Sequence, residues 1–285
     1  MTRNDTLISR SGVRMPRILY GTAWKKEQTV ALVHAAIGQG FRGIDTACQP
    51  KHYHEAGVGE GVAMSLSEGA TEGLNRTDLY LQTKFTPVDG QDPSRIPYDP
   101  QARLGEQVAQ SFQASLRNLR MSYLDCLVLH SPLDDREQLV EVWRAMEALS
   151  DTGCVRQLGI SNCYDFKYLE WLDHIARVKP AVVQNRFYAD TGYDREIRTF
   201  CRRHGIVYQS FWTLTANPQV LAHGTIKALA SAHKRTPAQI LFRYLTQEGI
   251  VPLTGTRSET HMREDLEIFE FELSERERAA VTALF

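Results

Sequence analysis

The sequence predicts an α/β chain folded as a (β/α)8 TIM barrel, entered through a short N-terminal β-hairpin. Eight short apolar runs recur along the 285 residues, and amphipathic helical patterns fill the intervals between them. No Pro-, Gly- or Ser-rich linker and no low-complexity segment interrupts the alternation, so residues 1–285 are expected to form one barrel domain. The length suits that fold, which typically takes about 250 residues.

In chain order, the hairpin is expected to turn at Ser11-Gly12. The strand candidates are Ile18 to Gly21, Gly43 to Thr46, Leu79 to Lys84 and Cys126 to His130. Val155 to Ser161, Ala181 to Asn185, Val207 to Phe211 and Gly249 to Thr254 complete the eight. The helical intervals have readable ends. QTVALVHAAIGQGF groups Val30, Leu32, Val33 and Ile37 near one face and stops at Gly40. LVEVWRAMEALSDTG puts Leu139, Val142, Trp143, Met146 and Leu149 on one stripe and ends at Gly153. TPAQILFRYLTQEG offers Thr236 as N-cap, Pro237 at the first helical position and Gly249 as terminator. A doubly wound sheet would share the alternation, but its dinucleotide fingerprint, G-x-G-x-x-G, is absent from the first strand-to-helix turn, YGTAWKKEQ.

A net charge of −1 argues against nucleic acid as the main partner, since neutralising phosphates takes a concentrated basic surface. The runs Lys25-Lys26 and Arg202-Arg203 read as solvated helix ends. Five cysteines (Cys48, Cys126, Cys154, Cys163 and Cys201) include no CxxC pair and read as reduced thiols. The N-terminus lacks a secretory h-region, and no apolar run reaches membrane-spanning length. A cytoplasmic, soluble protein is expected, with nothing that demands an oligomer and a monomer as the simplest form.

In such a barrel the side chains that finish the strands converge on one face. Asp45 finishes the second strand, Lys84 the third and His130 the fourth, and the loop after the second carries Tyr53. Singly, each has an ordinary structural reading: a cap, an ion-pair partner, a solvated amine. Together they form a chemical unit. Reduction of a carbonyl by hydride needs a proton for the developing alkoxide, and a tyrosine can give it if its pKa, ordinarily about 10, is drawn toward neutrality. A nearby ammonium does this, a carboxylate holds the ammonium, and a histidine can orient the substrate oxygen.

The strings GFRGIDTA, YHEAGVGEG, QTKF, LVLHSP, GISN and PAVVQN occur in an order and spacing that resembles the aldo-keto reductases over nearly the whole chain. The resemblance implies Asp45, Tyr53, Lys84 and His130 as a catalytic tetrad. It implies Ser161, Asn162 and Gln184 as holders of a nicotinamide carboxamide. Phe211, in VYQSFWTLTANP, would stack beneath that ring, with Trp212 and Leu214 beside it and Thr22 on the first strand's exit. VPLTGTRSETHMREDL is similar to the segment that takes the adenosine 2′-phosphate, implying roles for Thr254, Gly255, Thr256, Arg257 and Asp265, with Arg263 a further cation. The expected cofactor is NADPH in preference to NADH (NAD), and no metal is implied.

The sequence departs from the family pattern where QPK lengthens the loop between Asp45 and Tyr53. Leu253 stands where many members have lysine, and Asp265 where many have asparagine. Phe211 and Trp212 can also be read as barrel packing. His52-Tyr53-His54 forms an HxH, which leaves a metal-dependent hydrolase as an alternative, though Ser161, Asn185, Phe211 and Thr254 on later strand ends are poor ligands. A non-catalytic nicotinamide-binding subunit is the other alternative. Cys48 reads as a small buried hydrophobe or a redox handle. The small-molecule carbonyl substrate is expected in an aromatic cleft lined by Trp24, Phe85 and Trp212 and by the loop from Thr86 to Pro100. Because the sequence ends with SERERAAVTALF, no long lid is expected, and bulky carbonyls should be tolerated.

Overall fold

A computed structural model describes residues 5–67 and 73–285. The hairpin forms first: β1 (Thr6–Ile8) pairs antiparallel with β2 (Arg14–Pro16), and Gly12 takes the left-handed conformation at the turn (φ 75°). Eight parallel strands then close into a barrel. They are β3 (Leu19–Gly21), β4 (Gly43–Asp45), β5 (Tyr80–Phe85), β6 (Cys126–Leu129), β7 (Leu158–Ser161), β8 (Val182–Arg186), β9 (Val207–Phe211) and β10 (Val251–Thr254). Closure is made by β10 against β3, where Leu253 pairs with Leu19 and Thr254 with Tyr20.

The helices surround this barrel. They are α1 (Thr29–Gln39), α2 (Glu55–Ser67), α3 (Leu104–Leu119), α4 (Arg136–Asp151), α5 (Phe166–Ile175) and α6 (Arg195–His204). After β9 come α7 (Pro218–Leu221), α8 (Gly224–His233) and α9 (Pro237–Gln247), and after β10 come α10 (Glu259–Leu266) and α11 (Glu275–Thr282). The expected end signals operate. Gly40 ends α1 at φ 118°, with its N–H donated to the carbonyls of Ala36 and Ile37. Thr236 and Gln239 form a reciprocal capping box at the start of α9, with Pro237 in its first turn. Two strands begin two or more residues later than the sequence suggests. Val155 makes only an isolated bridge to Leu124, and Gly249 is taken by the turn that ends α9.

Alternation along each strand sets the site. On β5, Tyr80 joins the cluster inside the barrel with Met15, Leu19, Cys126, Val128, Val182, Val207 and Val251. Leu81 and Phe85 instead join the larger core between strands and helices. The same parity turns Gln82 and Lys84 inward. Thus the hairpin end of the barrel holds this apolar cluster together with the buried Ser9 and Gln157, and the opposite end carries Asp45 and Lys84. Gly59 sets the packing of α2 on α3, since a Cβ there would lie 2.1 Å from the Asn118 carbonyl oxygen. Phe285 packs on Phe187, Tyr193 and Tyr244.

Candidate active site

At the C-terminal ends of the strands lies a cleft of about 1060 Å³, and Asp45, His52, Tyr53 and His130 are in its wall. Lys84 is 1% exposed and donates to both Asp45 oxygens, at 2.8 Å (Oδ1) and 2.7 Å (Oδ2), and to the Thr46 carbonyl at 2.9 Å. Its Nζ lies over the Tyr53 ring, 5.2 Å from the centroid. Burial works against the ammonium, but Asp45 and Tyr53 outweigh it and hold the Lys84 pKa above its ordinary value. The lengthened loop therefore still brings Tyr53 to the lysine. His52 stacks instead on Trp24, with centroids 4.1 Å apart, and His54 turns toward α2 at Gly57.

One electrostatic expectation is corrected. Burial raises the Tyr53 pKa more than Lys84 lowers it, with Asp45 adding to the rise. The phenol is thus fully protonated near neutral pH, the form a proton donor requires. The His130 imidazole, 6.0 Å from the Tyr53 ring by centroids, is held well below its ordinary pKa by burial and then by Lys84 and His52. It is neutral. Its Nδ1 meets the Thr86 hydroxyl at 2.6 Å; with Thr86 donating, the ring proton sits on Nε2.

Beneath the tetrad runs a polar column. The Ser9 hydroxyl donates to Gln157 (2.5 Å), Gln157 to the Tyr80 hydroxyl (3.0 Å), Tyr80 to Gln82 (2.9 Å), and Gln82 to Asp45 Oδ1 (2.7 Å). Gln184 adds a donor to the same oxygen at 3.0 Å, and Gln209 accepts from both Gln82 and Gln184 at 2.8 Å. Asp45 Oδ1 thus accepts from both glutamine amides as well as from Lys84, and the hairpin is tied to the tetrad through the barrel's interior.

The remaining predicted residues divide. Ser161, Asn162, Gln184, Phe211, Trp212 and Leu214 line the cleft, as do Thr254 to Arg257 and Asp265. The Ser161 hydroxyl donates to the Gln184 carbonyl (2.7 Å), and the Asn162 amide donates to the His130 carbonyl (2.8 Å). Two predictions are corrected. Phe85 is buried among the helices against Tyr98, because its parity is opposite to that of Lys84. Thr22 likewise points outward from its strand exit, and its hydroxyl donates to the Asp45 carbonyl at 2.9 Å, outside the cleft wall.

Lys25 is a third correction. Rather than solvated, it is 5% exposed, lines the cleft and donates to the Gly255 carbonyl. Burial, and then the neighbouring Arg257 cation, push its pKa down to about 8. Arg257 reaches back to the Trp24 carbonyl at 2.7 Å. Among the described residues, neither cation has a carboxylate within ion-pair distance. Two crowded cations without an anion make a ready phosphate site. This chemistry, with the aromatic Phe211 in the same cleft, fits a nicotinamide dinucleotide. Trp24 and Trp212 are both half-exposed in left-handed backbone (φ 62° and 56°), a strained conformation for bulky residues that clusters at ligand sites.

Asp265 lines the same cleft, and burial raises its pKa to about 7. An acid whose folded pKa lies above its unfolded value, about 3.9, loses stability for the fold as pH rises between the two. Asp265→Asn is therefore expected to stabilise the protein by a few kcal/mol at pH 8, with the gain vanishing toward pH 4. Urea unfolding at the two pH values measures this, and an equal effect at both contradicts it.

The sequence reading did not single out Gln82, Gln209 or Arg186. The available signal was strand parity: Gln82 shares that of Lys84, and Arg186 that of Gln184.

Known proteins agree with this geometry. The aldo/keto reductase family model matches residues 17–218 and 217–285. A glyoxal reductase of Bacillus subtilis is 31% identical over 283 residues, covering 98% of this chain and 92% of its own. An uncharacterised oxidoreductase of the same organism is 30% identical over 277 residues, covering 96% and 90%. The crystal structure of an aldo/keto reductase from Brucella melitensis superposes with a TM-score of 0.81 at 27% identity, covering 98% of this chain and 99% of that one. A match across nearly the whole length, on a closed parallel barrel with its polar end intact, places the chain in the aldo/keto reductase family, oxidoreductases that act on small-molecule carbonyls with a nicotinamide cofactor.

Proposed function

We propose that the protein is an NADPH-dependent reductase of aldehydes and ketones in which Tyr53 is the proton donor. The observation that carries this reading is the Lys84 ammonium, fixed by Asp45 and set over the ring of a protonated phenol that opens into the cleft. When bound, the nicotinamide supplies the hydride. The Tyr53 hydroxyl gives its proton to the carbonyl oxygen as charge develops there, and Lys84 stabilises the phenolate that remains. His130, neutral and protonated on Nε2, hydrogen-bonds the same oxygen and orients it. Ser161, Asn162 and Gln184 would hold the carboxamide once their present partners are exchanged, with Phe211 beneath the ring. Lys25, Arg257 and the backbone from Thr254 to Thr256 would hold the phosphates. The cleft is broad, with aromatic side chains at its mouth, which favours bulky carbonyls. A monomeric, cytoplasmic enzyme is the simplest setting.

The choice of NADPH over NADH rests on Arg257, whose fork suits a phosphate dianion. Arg257→Ala is expected to weaken NADPH binding about 10-fold or more, since a charged hydrogen bond contributes ~1.5–3 kcal/mol. NADH binding should barely change. Fluorescence titration of both cofactors tests this; equal affinity of the native protein for the two would sink it.

A further inference from the structure

We propose that Arg186 is the cleft's receptor for the oxyanion, carboxylate or phosphate, of a bound ligand. The inference rests on reading the cleft as a carbonyl-reducing site. Arg186 ends β8, two residues beyond Gln184, with inward parity, and it lines the cleft. On the closed ring its strand is four places from β4, so Arg186 stands across the barrel mouth from the strand that carries Asp45.

Three observations point to a ligand. First, the guanidinium is held by rings: its central carbon lies 4.2 Å from the Trp212 centroid and 5.2 Å from that of Tyr188. Aromatic faces orient a guanidinium plane without consuming its N–H donors. Second, among the described residues its side chain has no hydrogen-bond acceptor, and its Nε is buried and unpaired. A buried donor without an acceptor carries a desolvation cost of about 1–3 kcal/mol, which a ligand oxygen would remove. Third, the carboxylates of the cleft do not serve it. Asp45 is taken by Lys84, and neither Glu264 nor Asp265, both on α10, makes an ion pair with Arg186 among the described residues. A fork with open donors, stacked on aromatic faces across the cleft from Asp45, suits two oxygens in one plane.

The two sources of such an oxyanion are a carboxylate on the carbonyl substrate and the pyrophosphate of the cofactor. Benzoate and benzamide, matched in shape and differing in charge, probe the first in the native protein by fluorescence titration. Benzoate is expected to bind about 10-fold tighter or better, the scale of one charge-assisted hydrogen bond. In Arg186→Met that preference should disappear, and in Arg186→Lys part of it should remain. The kcat/KM for 4-carboxybenzaldehyde should fall at least 10-fold more than that for benzaldehyde. If instead Arg186→Met weakens NADPH and NADH equally, the receptor stands and the oxyanion is the pyrophosphate that both cofactors share. Native protein that binds benzoate and benzamide alike, with cofactor affinities untouched in Arg186→Lys and Arg186→Met, overturns the proposal. So does an equal loss for both aldehydes without any loss of anion binding. The benzoate titration involves no turnover, so it decides Arg186 even if no carbonyl is reduced and the proposed function fails.

Discussion

Tyr53→Phe is expected to bind NADPH as the native protein does and to reduce carbonyls about 10²-fold more slowly or worse, the scale of a lost general acid. The substitution removes one oxygen and keeps the ring that packs beside His130 and Lys84, so the cleft should survive. The separation of binding from turnover is the informative result. Quenching of protein fluorescence by NADPH should be unchanged while kcat collapses. A parallel loss of binding would mean that the phenol holds the cleft together rather than feeding it a proton.

Asp45→Asn is expected to damage stability as well as activity. Lys84 is buried, and Asp45 provides the only carboxylate within ion-pair distance of it among the described residues. Removing one partner of a buried pair leaves an uncompensated charge, which costs about 3–5 kcal/mol. The asparagine amide would also meet both the lysine and the donated amides of Gln82 and Gln184. The deficit should depend on pH. In the native protein, Asp45 keeps the Lys84 pKa above its ordinary value, so its contribution is present below the unfolded lysine pKa and is lost only as pH rises through the folded one. In the variant, burial acts unopposed by the carboxylate and the folded pKa falls below the unfolded value. The variant then gains stability as pH rises toward about 10, the unfolded lysine value. Urea unfolding at pH 7 and pH 9 should give a smaller deficit at the higher pH. A variant as stable as the native protein at pH 7 would contradict the description of Lys84 as a buried, paired cation.

Much of the fold was legible because its signals are local. Gly40, Gly153 and the Thr236-Pro237 start each act within a turn, and eight apolar runs spaced by amphipathic segments leave few architectures open. The tetrad was legible because barrel strands bring their ends together whatever the loop lengths, so Asp45, Lys84 and His130 needed only their strand positions. Phe85, expected as an aromatic of the cleft, and Thr22, expected with the cofactor site, were both placed without regard to strand parity, although the two-residue repeat of a strand turns neighbours to opposite faces. Applied to β5, the same rule assigns Gln82 to the interior. Lys25 and Arg186 were hidden for a different reason. Their environment is made by segments distant in the chain, Gly255 with Arg257 for one and Trp212 with Tyr188 for the other. A lysine pair reads as a solvated run until the fold buries one member. The Tyr53 pKa is a similar case: Lys84 was legible, but the burial that outweighs it was not.

The central claim is that the phenol, not an imidazole, delivers the proton. Its local competitors are His52, which shares the cleft wall, and His54 beyond it. The most direct measurement is the rate of NADPH-dependent aldehyde reduction in Tyr53→Phe, His52→Ala and His54→Ala, each with its cofactor binding confirmed by fluorescence. The account predicts that the tyrosine variant alone loses about 10²-fold or more, with both histidine variants remaining within a small factor of the native rate. Near-native reduction by Tyr53→Phe, together with an inactive His52→Ala or His54→Ala, would contradict it and make a histidine the acid.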